Sequence, residues 1–217
     1  MTYSSKLRIT EIFHSLQGES RTTGIPTVFV RLTGCPLRCQ YCDTAYAFRG
    51  GDLYSIAEII ENVRKYNCDY VTVTGGEPLA QSGCINLLEI LCDSGFIVSI
   101  ETSGALPVNE IDERVSIVLD LKTPGSLECD KNNYENLPYL RKKDQVKFVI
   151  CNRNDYEWSK TKLTQYDLKH QAGEVLFSPS HEQLTGRELA SWVLQDGLSV
   201  RVQLQLHKLL WGLEPGR

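Results

Sequence analysis

Three cysteines fall within eight consecutive residues, in the run Gly34-Cys35-Pro36-Leu37-Arg38-Cys39-Gln40-Tyr41-Cys42. Gly34 and Pro36 break regular structure and let a single loop turn its thiolates toward a common point. That pattern implies a metal. Structural zinc normally takes four protein ligands, whereas this loop offers three, with no histidine nearby and no second cysteine pair downstream. Three thiolates suit an iron–sulfur cubane better. One iron of such a cluster has no protein ligand, and an open coordination position is a place where a cofactor can bind.

Other polar groups recur at comparable places along the chain. Gly75-Gly76-Glu77-Pro78, Glu101-Thr102-Ser103-Gly104 and Ser178-Pro179-Ser180 each follow a short apolar run, and Asp120 and Lys122 close another. Arg31 stands between apolar neighbours four residues before the first cysteine of the cluster loop. Its planar fork suits a carboxylate, because two parallel hydrogen bonds can form at once. The five remaining cysteines carry less information. Cys84 and Cys92 sit in the amphipathic stretch CINLLEILC, where core packing explains them, and Cys68, Cys129 and Cys151 have no assigned role.

The elements that position these groups follow from hydrophobic periodicity. Strands are predicted at residues 27–32, 70–74, 96–100, 116–121, 145–150, 174–177 and 199–206, with helices at 55–66, 82–94, 154–169 and 186–196. Thr185 and Glu188 form a capping-box pattern for the last helix, and Gly197 stops it. Alternating strands and helices imply right-handed crossovers and an α/β fold with a parallel sheet, doubly wound or barrel-like. About six strands would leave a (β/α) barrel of the TIM type incomplete. In such folds chemistry gathers beyond the carboxyl ends of the strands, which is where the polar motifs fall.

The chain has 217 residues, with 23 basic and 27 acidic side chains and a net charge of −4. Without a basic cluster there is no electrostatic footprint for nucleic acid or anionic lipid. No apolar run reaches the 18 residues of a membrane span, and the first residues lack a signal-peptide pattern. A single cytoplasmic domain over residues 1–217, acting on a small molecule, is the expectation.

Cys35-x-x-x-Cys39-x-x-Cys42 resembles the cluster loop of radical S-adenosylmethionine enzymes, and Thr74-Gly75-Gly76-Glu77-Pro78 resembles their second signature. Further features resemble the 7-carboxy-7-deazaguanine synthase family within that superfamily, over essentially the whole chain. They are Phe13-His14-Ser15-Leu16-Gln17-Gly18-Glu19, Phe29-Val30-Arg31-Leu32, Tyr41-Cys42-Asp43-Thr44, Glu101-Thr102-Ser103-Gly104 and Gln205-Leu206-His207-Lys208. Ser20 departs from the family, which often has glycine there.

The resemblance implies a radical ring contraction of 6-carboxy-tetrahydropterin to 7-carboxy-7-deazaguanine with loss of ammonia, on the way to queuosine and other deazapurines. It implies a 4Fe–4S cluster on Cys35, Cys39 and Cys42, S-adenosylmethionine regenerated in each cycle, and Mg2+ on Thr44. Tyr41, Cys42, Asp43, Gly76, Ser103, Asp120, Leu121 and Lys122 would contact S-adenosylmethionine. Leu16, Gln17, Gly18, Arg31, Thr74, His207 and the terminal carboxylate of Arg217 would contact the pterin. An external electron donor such as flavodoxin or ferredoxin and a homodimer are further implications. Two other readings remain open on the sequence: an activating enzyme for a glycyl-radical protein, and a non-catalytic metal-cluster protein.

Overall fold

A computed structural model of the chain describes residues 6–212, Glu214 and Gly216. Among them, nine strands build one sheet: β1 (Lys6–Leu16), β2 (Pro26–Leu32), β3 (Asp52–Ser55), β4 (Tyr70–Gly75), β5 (Ile97–Thr102), β6 (Ser116–Asp120), β7 (Gln145–Ile150), β8 (Glu174–Pro179) and β9 (Arg201–Val202). Their order across the sheet is β3-β1-β2-β4-β5-β6-β7-β8-β9. Neighbours from β2 to β9 run parallel, while β1 is antiparallel to both β2 and β3. The edge strands β3 and β9 do not pair with each other, so the barrel is incomplete as expected, but with nine strands and not about six: β1 and β3 extend one edge and the short β9 the other.

Helices α1 (Ile56–Arg64), α2 (Cys84–Asp93), α3 (Arg153–Gln165), α4 (Leu168–Gln171), α5 (Gly186–Gln195) and α6 (Leu206–Trp211) accompany the sheet. Both α1 and α5 begin with a full capping box, Ser55 with Glu58 and Thr185 with Glu188, which satisfies backbone N–H groups that the first turn leaves free. Gly197 follows α5 in a left-handed conformation. The helix expected over 154–169 is divided into α3 and α4, because Asp167 between them takes a positive φ of 47°. None of these helices is long and apolar enough to cross a membrane.

Strand alternation sorts the side chains onto two unlike faces. Val28, Val30, Leu32, Val71, Val73, Ile100, Leu119, Phe148 and Phe177 lie in the main core with Ile59 and Val63 of α1 and Leu87, Leu88 and Leu91 of α2. Cys84 is fully buried there, and Cys92 packs against it. The intervening residues face inward: Arg31 beside Thr74, Thr72 beside Ser99, and Asp120 beside Lys147 in the strand registers. An ordinary barrel of this type fills its interior with Val, Ile and Leu. Here the inner face is polar, so a site forms instead of a second core.

Two strands escape the sequence pattern for identifiable reasons. In β1 the pairing with β2 shifts between Ile9, opposite Leu32, and Glu11, opposite Arg31. This bulge interrupts the alternation and brings Glu11 onto the inner face with Arg31. The strand β3 is only four residues long and polar. At the other edge, the strand expected over 199–206 shrinks to Arg201–Val202. The chain is drawn away because Gln203, almost fully buried, accepts from Ser20 N (2.7 Å) and donates to Ser20 O (2.8 Å), and Leu206 N donates to Gly18 O (3.0 Å). His207 therefore stands in the first turn of α6 and not at a strand end.

The same clamp holds Ser20 at φ 76°, in the left-handed region where a Cβ is disfavoured. Glycine adopts this conformation without that penalty, which explains the glycine common at this place in the family. Ser20→Gly is expected to stabilise the protein by about 1 kcal/mol. Equilibrium urea denaturation measures this, and a destabilised variant would show that the Ser20–Thr22 hydroxyl contact outweighs the backbone strain.

Candidate active site

The inward side chains and the loops beyond the carboxyl ends of β2, β4, β5, β6 and β8 enclose one cavity of about 700 Å³. Every candidate residue named from the sequence lines it except Leu121 and Arg217. Leu121 is fully buried in the hydrophobic core, and only its backbone is near the site, donating to Lys147 O (2.9 Å). Arg217 lies outside the described residues.

At one end of the cavity stands the cysteine loop. Cys35 and Cys39 are half-buried, and burial raises both thiol pKa values, that of Cys39 to about 11. A metal must displace those protons to bind. The loop is braced from behind by the Gly75-Gly76-Glu77 turn. Gly76 N donates to Leu32 O (3.2 Å) and Glu77 N to Gly34 O (2.8 Å). A Cβ on Gly76 would collide with Gly34 O and Cys35 Cβ, so glycine is required there by contact between the two loops themselves. The Glu77 carboxylate, wholly buried, then reaches the next strand end: it accepts from Thr102 Oγ1 (2.9 Å), Ser103 N (2.7 Å) and Ser103 Oγ (2.5 Å). The Ser103 hydroxyl is thus engaged by protein.

Lys122 and Asp120 form an ion pair of 3.0 Å beside Tyr41, whose ring lies 5.9 Å from the Lys122 ammonium. Burial works against the Lys122 charge, but Asp120 and Tyr41 outweigh it and hold the pKa well above its ordinary value. Burial pushes the Tyr41 phenol upward. Asp43 pairs with Lys208 of α6 at 2.7 Å, and this cation keeps its carboxyl below the usual range against the opposing effect of burial. The Thr44 hydroxyl lies 3.7 Å from Cys42 Sγ.

Elsewhere on the cavity wall Arg31 donates from Nε to Glu11 Oε1 (2.7 Å), which also accepts from Tyr46 OH (2.7 Å). The guanidinium is held between the Phe13 and Tyr46 rings, 5.6 and 5.9 Å from their centroids. Its Nε is engaged, and the edge bearing the terminal nitrogens remains for a ligand. The Gln17 amide is buried and fully occupied: Nε2 donates to Thr72 Oγ1 (3.1 Å) and Glu101 Oε1 (3.2 Å), and Oε1 accepts from Glu19 N (3.1 Å). Thr74 Oγ1 donates to the other Glu101 oxygen (3.1 Å). Gly18 packs on His207, whose imidazole a Cβ at Gly18 would strike. Burial lowers the His207 pKa, favouring the neutral ring.

Four residues carry no role in the sequence reading: Glu19, Glu101 and Lys147, which line the cavity, and Glu77, buried behind it. Lys147 interrupts an otherwise apolar strand at an inward position, a signal readable from period-2 alternation. Burial, and then the nearby Glu19, raise the Glu101 pKa, so its neutral acid is favoured.

The comparisons with known proteins agree with this arrangement. Residues 29–154, more than half of the chain, match the Radical SAM superfamily. The 7-carboxy-7-deazaguanine synthase of Chlorobaculum tepidum is 42% identical over 214 residues, covering 97% of each chain. That of Koribacter versatilis is 43% identical over 219 residues, covering 94% of this chain and 97% of the relative. The chain belongs to the 7-carboxy-7-deazaguanine synthase family. Its fold is similar to the crystal structure of QueE from Escherichia coli, with a TM-score of 0.77 at 22% identity over 93% of this chain and 95% of that one. A more distant likeness is Streptococcus suis SuiB bound to S-adenosylmethionine, with a TM-score of 0.52 at 16% identity over 79% of this chain and 45% of that one.

As a radical S-adenosylmethionine enzyme of this family, the protein uses a 4Fe–4S cluster and S-adenosylmethionine. The donor set fits both groups. Three thiols line one wall, and no three His, Cys, Asp or Glu side chains among the described residues converge closely enough for a single metal ion. Spread thiols suit a cluster, in which each ligand binds a different iron. Asp120 Oδ1, Tyr41 OH and Ser178 Oγ are buried without protein partners in residues lining the same cavity. Unpaired polar atoms of this kind are costly unless a ligand meets them.

Glu101→Ala is expected to cost about 1–3 kcal/mol in urea denaturation, because the Gln17 and Thr74 donors lose their acceptor. Glu101→Gln keeps an acceptor and should unfold near the unmodified protein. The folded pKa of Glu101 lies above the unfolded value of 4.5, so stability declines as the pH rises from 4.5 through the folded pKa. Glu101→Gln should abolish that part of the slope, and an unchanged pH profile would place the titration elsewhere.

Proposed function

We propose that this enzyme converts 6-carboxy-5,6,7,8-tetrahydropterin to 7-carboxy-7-deazaguanine with loss of ammonia, a carbon–nitrogen lyase reaction in queuosine and 7-deazapurine biosynthesis. The observation that carries the reading is the joint presence, in one cavity, of the three-thiol loop and of Arg31, in a chain matched over nearly its full length by relatives of that name.

Cys35, Cys39 and Cys42 would hold the cluster, with Tyr41, Asp43, Gly76, Ser103, Asp120, Lys122 and the Leu121 backbone around S-adenosylmethionine. Together these groups supply hydrogen-atom abstraction chemistry when bound. The chain itself binds, orients and excludes water. Arg31, aimed by Glu11 and Tyr46, binds the substrate carboxylate. Thr74 and the backbone of Leu16, Gln17 and Gly18 border the ring, while the Gln17 side chain orients Glu101. Glu101 and His207 offer further polar edges beside the ring. Thr44 would supply a hydroxyl to Mg2+, a hard cation that takes oxygen ligands. A flavodoxin or ferredoxin supplies the electron. The enzyme works as a cytoplasmic homodimer of single-domain chains.

Reconstituted, reduced protein incubated anaerobically with S-adenosylmethionine, Mg2+ and the carboxy-tetrahydropterin is expected to release 7-carboxy-7-deazaguanine and ammonia, detected by chromatography and mass spectrometry. A cluster-loaded protein that cleaves S-adenosylmethionine without forming this product would overturn the substrate. Arg31→Ala is expected to lower kcat/KM by about 2–4 kcal/mol, roughly 30- to 1,000-fold, because a buried carboxylate loses its partner. Iron content should be unchanged, and turnover close to the unmodified rate would remove Arg31 from the substrate site.

A further inference from the structure

We propose that Lys147 is a positioning residue for both ligands, holding two inward carboxylates of the cavity, Glu19 and Asp120, with one ammonium group. The pterin half of this inference rests on the proposed substrate. Lys147 lies beside Asp120 in the β6–β7 register, and both side chains face inward. Its side chain is only 14% exposed, and its ammonium forms an ion pair with Glu19 and lies 3.9 Å from Asp120 Oδ2.

The two carboxylates have different further neighbours. Glu19 follows Gln17 and Gly18, accepts from Gln205 Nε2 at 2.7 Å, and stands near Glu101 and His207. Asp120 pairs with Lys122 beside Tyr41 and Cys39, and leaves Oδ1 buried without a protein partner. Lys147 and Lys122 together offset Glu19 and Asp120. Burial disfavours the Lys147 charge, yet Glu19 and Asp120 more than reverse this and raise its pKa. The cation has no aliphatic core to support: its strand neighbours Val146 and Phe148 serve the other face of the sheet. Without Lys147, Glu19 and Asp120 would be left beside Glu101 with one cation among them, and like charges so placed must move apart or take up protons.

A purely structural lysine would lower stability and leave the affinity of each folded molecule unchanged. Lys147→Met and Lys147→Arg in the cluster-loaded protein separate the two roles, with S-adenosylmethionine and the unreactive aromatic 6-carboxypterin as probes in anaerobic calorimetric titrations. Lys147→Met should weaken both ligands by about tenfold or more with iron content and circular dichroism unchanged, and Lys147→Arg should recover most of each loss. Should Lys147→Met not fold, the double variant Glu19→Gln/Lys147→Met, which removes both charges of the pair, is judged by the same two affinities. Both affinities falling supports the proposal; either one staying within about twofold of the unmodified protein overturns it. If the unmodified protein binds S-adenosylmethionine but not carboxypterin, the proposed substrate fails, and the S-adenosylmethionine titration alone then decides whether Lys147 positions Asp120.

Discussion

Charged side chains on the inner face of a sheet can be buried only where each meets an opposite charge or gives up its own. That constraint organises the middle of this protein. Arg31 is met by Glu11, Lys147 by Glu19 and Asp120, and Asp120 again by Lys122, while Glu101 is accommodated by favouring its neutral acid. Apolar residues at the same positions would have filled the barrel and removed the site. The β1 bulge serves the same end, since it brings Glu11 to the face on which Arg31 must be neutralised.

A second layer of contacts keeps the strand-end loops in step. Glu77 is a buried carboxylate that receives four donors from three residues: Leu79 N, Thr102 Oγ1, Ser103 N and Ser103 Oγ. It therefore holds the glycine turn against the β5 end, while the glycines themselves let that turn rest on the cysteine loop. On the far side, Asp43 and Lys208 fasten the cysteine loop to α6, and Gly18 seats His207 of that helix. The segment around Ser20 is held by Gln203, nearly the whole chain away in sequence. The cavity is thus closed by pairings between distant parts of the chain.

The parallel strands, the outer helices and the motifs at the carboxyl ends were legible because each has a local signature: β-branched runs, capping boxes, stopping glycines and cysteine spacing. The elements that were not legible lack one. Strand β1 mixes charges with a bulge, β3 is short and polar, and the segment after β9 becomes a helix because Gln203 and Leu206 bond to the Gly18–Ser20 loop. The family resemblance implies a cofactor contact at Leu121; alternation turns its side chain into the core and leaves its backbone for that role.

By itself the sequence determined which chemistry is available. Three closely spaced thiolates with no fourth ligand, a glycine turn about 30 residues on, and an arginine embedded in a strand are properties of residue type and spacing. Which groups remain free for ligands was decided only by the tertiary structure. Hydrogen-bond capacity is finite, and the fold uses up the Gln17 amide, the Ser103 hydroxyl and the Arg31 Nε on protein partners while leaving Asp120 Oδ1 and the Tyr41 hydroxyl unpaired. No local pattern encodes that division, because each of those partners arrives from a different strand or loop.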